Sequence, residues 1–160
     1  MGWRCSLLVP VTIACLVLTD GEARAQALGS VVAGPAGVSG FFGSSSTSLH
    51  AAGGGEFLMK GLLGAGGEAG LLANSSNVLW VVSGNGIVHL GAARVSPFVT
   101  GGYTRMGGGE GGFNAWNAGA GVDFWAASRL GLRLDFRDHI RPDNRGTVHY
   151  WTVRGGMVFR

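Results

Sequence analysis

The chain has 160 residues, 31 of them glycine, with 12 basic and 9 acidic residues and a formal charge of +3. This length suits one domain, and so mild a charge gives no argument for a nucleic-acid partner. Both cysteines, Cys5 and Cys15, fall in the first 25 residues, so a disulfide framework is excluded from the rest.

At the N-terminus Arg4 precedes an apolar run over residues 6–18, which leads to Ala23-Arg24-Ala25. The run is too short for the ~20 residues of a spanning helix and has the layout of a secretory signal cleaved after an A-x-A site. The expected organisation is a signal peptide, 1–25, and a single domain, 26–160. Without the signal, Lys60 and nine arginines stand against seven acidic residues.

The domain shows no 3.6-residue amphipathic period. Eight stretches read instead as strands, most of them alternating with period 2. Residues 30–42 come first, with Pro35 inside, a residue suited to edges and bulges. In 49–59, Leu49, Ala51 and Phe57 share one face and His50 and Glu56 the other. In 62–72, Leu63, Ala65, Ala69 and Leu71 oppose Glu68; in 78–90, Trp80, Val82, Val88 and Leu90 oppose Ser83, Asn85 and His89. Residues 95–106 have mixed faces. In 113–124, Trp116, Ala118, Ala120, Val122 and Phe124 oppose Asn117, Gly119 and Asp123. The pattern is strictest in 129–138, where Leu130, Leu132, Leu134 and Phe136 alternate with Arg129, Gly131, Arg133, Asp135 and Arg137. The last stretch, 147–160, sets Trp151, Val153, Met157 and Phe159 against Tyr150, Thr152 and Arg154.

Between these stretches, 60–61, 91–94 and 125–128 read as short turns. The connections 43–48, 74–77, 107–112 and 139–146 read as longer or more polar loops. Such alternation is what an up-and-down barrel across a membrane gives.

The faces decide the solvent. Glu56, Glu68, Asp123, Arg133, Asp135, Arg137 and Arg154 all lie opposite the apolar residues, and seven charges in a small water-soluble core would carry a large desolvation penalty. The inverse arrangement removes the conflict. Trp80, Val82, Trp116, Val122, Leu130, Leu132, Leu134, Phe136, Trp151, Val153 and Phe159 then face lipid, and the charges fill a narrow lumen in which Glu56 and Glu68 meet Arg133, Arg137 or Arg154. The predicted fold is all-β, an eight-stranded antiparallel up-and-down transmembrane barrel. Trp80, Trp116, Trp125 and Trp151 are expected in interfacial girdles, and the interior to be filled by side chains rather than open as a pore.

Four segments, 97–103, 117–125, 129–137 and 154–160, resemble the outer-membrane β-barrel family, in particular its small OmpA-like and opacity-type members, and the resemblance extends over 49–160. It implies a bacterial outer-membrane location with membrane lipid as partner, and a terminal aromatic read by the barrel-insertion machinery, here Phe159 with Arg160 after it. A monomer is expected.

The letters of a dinucleotide fingerprint occur in 64–69, but no helical pattern follows, and strand is the simpler reading. The glycines of 107–112 lack a phosphate-loop ending, and no G-x-S-x-G occurs. His139 is followed by Ile140 and Arg141, without the serine two places on that lipid-modifying barrels carry. The four histidines have no metal-ligand spacing. No catalytic residue, metal or cofactor is therefore expected. The function expected is a structural or surface-interaction role in the outer membrane. The alternatives are a secreted soluble barrel binding an apolar ligand, a narrow pore, and a lipid-modifying barrel enzyme.

Overall fold

Eight antiparallel strands close on one another: β1 (Gln26–Ser39), β2 (Thr47–Met59), β3 (Leu63–Ala73), β4 (Val78–His89), β5 (Val95–Gly108), β6 (Gly111–Trp125), β7 (Leu130–Asp143) and β8 (Gly146–Phe159). Each pairs with its neighbour in sequence, and β1 pairs with β8 to complete a closed barrel. The structure is a computed structural model that describes residues 25–39, 47–59, 62–91, 94–109, 111–144 and 146–160. The predicted signal peptide up to residue 24 lies outside the described residues, as do 40–46, 60–61, 92–93, 110 and 145. No helix occurs among the described residues.

Strand formation follows from closure. In an open sheet of this composition the edge strands would present unpaired backbone groups; a barrel leaves none. The first strand begins at Gln26 rather than at residue 30, because Gln26 to Gly29 pair with Leu58 to Gly55 of β2; its expected end, 40–42, lies outside the described residues. Pro35 remains in it: the ladder to β8 is bridged at Ala33 and Ala36 and skips Gly34 and Pro35, where proline offers no N–H.

The expected contrast of short turns and long loops does not hold in the second half of the barrel. Residues 109–110 join β5 to β6 and 144–145 join β7 to β8, while 126–129, at the end that also holds both termini, is the longer connection. Glycine and polarity misled the reading of 107–112 and 139–146. Gly107 and Gly108 pair with Gly112 and Gly111, and the polar side chains of His139 and Arg141 belong to the inward face of a continuing strand. Each of these two-residue turns is followed by a glycine in left-handed backbone, Gly111 (φ 132°) and Gly146 (φ 135°), which other residues rarely adopt.

The lumen has two apolar ends. Leu28, Leu58, Trp125 and Val158 close the end bearing the termini. Ala36, Leu72, Val81 and Met106 close the other, with Leu79, Phe113 and Tyr150 against them. Trp125 thus points inward and is no part of a girdle; the guanidinium of Arg160 stacks on its ring at 3.7 Å. Between the two ends the lumen is polar.

Candidate functional site

Strand β7 carries the centre of the lumen. The side chain of Arg133 forks onto Asp123 of β6, its register partner, with Nε donating to Oδ1 at 2.7 Å and Nη2 to Oδ2 at 2.8 Å. Its remaining Nη1 donates to Glu56 on the far side of the barrel. The other Glu56 oxygen lies 3.5 Å from His89 Nε2, and His89 Nδ1 meets Ser96 Oγ at 3.0 Å. Phe98 lies beneath the Arg133 guanidinium, 4.6 Å from ring centre to Cζ. Two carboxylates and one arginine therefore share a buried compartment, each charge held by hydrogen bonds that offset its desolvation.

One layer further from the termini the arrangement repeats with other residues. Arg154 forks onto Asp135, again its register partner, at 2.7 and 2.9 Å, and its Nη1 reaches Glu68 at 2.6 Å. Arg137 adds a second cation, 3.7 Å from Glu68 Oε2. With the Asn85 amide oxygen turned toward it, Arg137 Nη1 also donates to Asn85 at 3.1 Å. Above this layer, Thr104 Oγ1 meets Ser83, Asn117 and His139 at 2.8, 2.9 and 3.0 Å. The free volume beside Glu56, Glu68, Asn85 and Arg137 is about 10 Å³, at most one water molecule.

Long side chains meet across so narrow a lumen because glycine stands where they cross. A Cβ on Gly121 would lie 2.6 Å from the Phe98 ring and 2.7 Å from Asp135 Cβ. On Gly66 it would lie 2.6 Å from the Gly55 carbonyl and 3.0 Å from Glu56 Cγ.

On the outer face stand the residues that alternate with these. Phe57 is 72% exposed, Trp116 61% and Leu132 60%, and Leu130, Leu134, Phe136, Trp80, Val82, Val153 and Phe159 are likewise exposed; Val122 and Trp151 are half-buried on the same face. Trp80 and Trp151 lean over Gly107 and Gly37 of the adjoining strands, and Trp116 meets Tyr103 edge-on at 5.3 Å. Strand β5 has regular faces after all. Its Arg105 lies outside and donates to Asn114 at 2.8 Å. A second polar pair also lies outside, His149 Nδ1 against Asp138 Oδ2 at 2.6 Å.

Sequence reasoning left several participants out of the lumen network. His89 and Asn85 were visible only as residues on an inward face, Ser96 and Phe98 lay in a stretch of mixed faces, and nothing local marks which charge each would touch. Arg133 and Glu56 are 77 positions apart, Arg154 and Glu68 86. Barrel register brings them together. At the end remote from the termini a recess of about 480 Å³ opens between β4, β5 and β6, lined by Leu79, Phe113 and Arg141, whose guanidinium stacks on Phe113.

No family model and no curated protein sequence matches the chain. Solved structures do. Neisserial surface protein A (NspA) superposes with a TM-score of 0.69 at 14% identity over 88% of this chain and 99% of that one. The N-terminal β-barrel domain of Pseudomonas aeruginosa OprF gives 0.59 at 14% identity over 84% and 98%. Ail of Yersinia pestis, in complex with the heparin analogue sucrose octasulfate, gives 0.54 at 13% identity over 84% and 99%. The chain has the fold of the small eight-stranded outer-membrane β-barrels.

Proposed function

We propose that the chain is an integral outer-membrane barrel with a structural or surface-interaction role, its lumen filled by a charged network instead of an open pore. The observation that carries this reading is the exposed apolar belt. A water-soluble protein seldom leaves so continuous an apolar surface uncovered, whereas lipid is its natural solvent. Eight residues of strand separate the Phe124–Leu132 row from the Trp116–Ile140 row, which at ~3.3 Å per residue and a strand tilt of ~40° is about 20 Å along the barrel axis, close to the ~25 Å apolar band of such barrels.

Two apolar ends and about 10 Å³ of free space between the charges argue against conduction. The four lumen carboxylates are each held by an arginine, which suits a structural network, although the His50 ring and Arg137 Nε make no hydrogen bond among the described residues. In this reading residues 1–25 direct export and are removed near Ala25, the barrel is a monomer in outer-membrane lipid, and the insertion machinery reads Phe159. The recess beside Arg141 and Phe113 is where a surface partner would dock.

Expression of the full chain in a bacterial host with an outer membrane tests the proposal. The chain is expected in the outer-membrane fraction, to need detergent for extraction, and to migrate faster unheated than boiled on a denaturing gel. A folded monomer recovered in plain buffer would overturn it.

A further inference from the structure

Charge is unevenly shared along the barrel axis. In the lumen Arg133, Arg137 and Arg154 stand with Glu56, Glu68, Asp123 and Asp135. Toward the end remote from the termini the sequence balances Arg105, Arg141 and Arg145 against Glu110, Asp138 and Asp143. At the other end the connections 60–62, 90–94 and 126–129, together with the close of β8, carry Lys60, Arg94, Arg129 and Arg160 and no acidic residue. The excess positive charge of the barrel therefore sits at the end that bears the termini.

Three of these arginines are gathered about Trp125. Trp125 N donates to Arg94 O at 2.8 Å and Arg160 N to Arg129 O at 3.1 Å, while Arg160 Cζ lies 3.7 Å from the centre of the Trp125 ring. Stacking of this kind uses the face of a guanidinium and leaves its edge of N–H donors free for an anion. All three arginines are exposed, and no ion pair among the described residues takes them in. Leu28, Leu58, Trp125 and Val158 close the mouth beneath them, so these charges have no lumen to enter.

Their neighbours set their depth. Arg94 precedes Val95, Arg129 precedes Leu130 and Arg160 follows Phe159, and these three apolar residues are exposed. One residue of strand is ~3.3 Å, so the arginines begin just past the last apolar row, where the belt gives way to headgroups. Long basic side chains extend from such a position toward the polar layer, and each favours an anionic leaflet by about fivefold.

We propose that Arg94, Arg129 and Arg160 form a binding rim for the phosphate groups of anionic phospholipids in the leaflet at the termini end. A guanidinium grips a phosphate through paired N–H donors. Three of them on the β5 to β8 side of the barrel favour a lipid with a net negative charge over a zwitterion, whose phosphate is offset by its own cation. The rim gives the barrel a polarity: one end selects an anionic leaflet, and the other, with balanced charge, does not. This goes beyond the structural role proposed above and rests on the membrane reading.

The test uses the full chain in phosphatidylcholine vesicles containing a small share of spin-labelled phosphatidylglycerol or, in a matched sample, of spin-labelled phosphatidylcholine. The fraction of label immobilised on the barrel reads the preference. Phosphatidylglycerol is expected to be held about fivefold or more over phosphatidylcholine. The preference should vanish in the triple variant Arg94→Gln/Arg129→Gln/Arg160→Gln, and in about 1 M salt, where the screening length falls to ~3 Å. Arg105→Gln/Arg141→Gln, at the remote end, should keep it. Arg94→Gln and Arg129→Gln singly should each lose part of it, and they serve if the triple variant does not fold. No preference in the parent chain, or an equal loss in the remote-end variant, overturns the rim. Displacement of the labelled lipid by inorganic phosphate, but not by chloride of equal ionic strength, would assign the arginines to a free anion and overturn the lipid. Only barrel with heat-shifted gel mobility is scored, so failure to enter vesicles counts against the membrane reading, and absence of preference in an inserted barrel counts against this one.

Discussion

Strand β7 is two molecules in one. Leu132, Leu134 and Phe136 keep 60%, 52% and 48% of their surface, while Arg133, Asp135 and Arg137, interleaved with them, keep 5%, 4% and 4%. A soluble sheet buries the first set and exposes the second. The reversal shows that the interior of this barrel is held by directed, charge-assisted contacts and its exterior by an undirected preference for an apolar solvent. Changes inside should therefore depend on the partner left behind, and changes outside only on polarity.

The largest effect is expected from Arg133→Ala. It strands Asp123 and Glu56 together without their cation, and a buried ion pair that loses one partner typically costs about 3–5 kcal/mol. Urea unfolding in lipid vesicles would read the loss. Removing Glu56 as well should restore part of it; strictly additive losses would show that the two never meet.

Next comes Leu134→Arg. Near the middle of the apolar belt it should destabilise by about 2–4 kcal/mol, the penalty for arginine at the bilayer midplane. Leu134→Met should stay within about 0.5 kcal/mol. That pair of variants separates sensitivity to polarity from sensitivity to shape.

Gly121→Ala should fall slightly below. One methyl group inside meets Phe98 and Asp135 at 2.6 and 2.7 Å, and overpacking of this kind costs about 1–3 kcal/mol. Gly155→Ala, with nothing within 4 Å of the new methyl on the outer face, should leave unfolding unchanged.

Alternation made much of this legible. The period-2 pattern of 129–138 and 113–124 fixes which residues share a face, and eight such stretches with no helical period leave little but a barrel. Hairpin register even pairs Asp135 with Arg154 once the turn is placed at 144–145. Loops were harder to read, because a glycine run such as 107–112 or a polar run such as 139–146 looks the same whether it turns or continues inward as strand. Contacts across the lumen, Arg133 to Glu56 or Arg154 to Glu68, depend on the stagger of all eight strands and have no local signature. Trp125 was misplaced for a related reason: aromatic residues near strand ends suit a girdle, but its odd-numbered position beside Asp123 in β6 sets it on the inward face.

The native tryptophans test the inside-out arrangement most directly. Variants of the lipid-reconstituted barrel that keep one of Trp80, Trp116, Trp125 or Trp151, the others replaced by phenylalanine, can be exposed to lipids brominated along their acyl chains. Fluorescence of Trp80, Trp116 and Trp151 should be strongly quenched, most by bromine close to the headgroup, while Trp125, 7% exposed and under Arg160, should be protected. Quenching of Trp125 as strong as that of Trp116, or no quenching of the other three, would contradict an apolar face turned to lipid and a charged face turned inward.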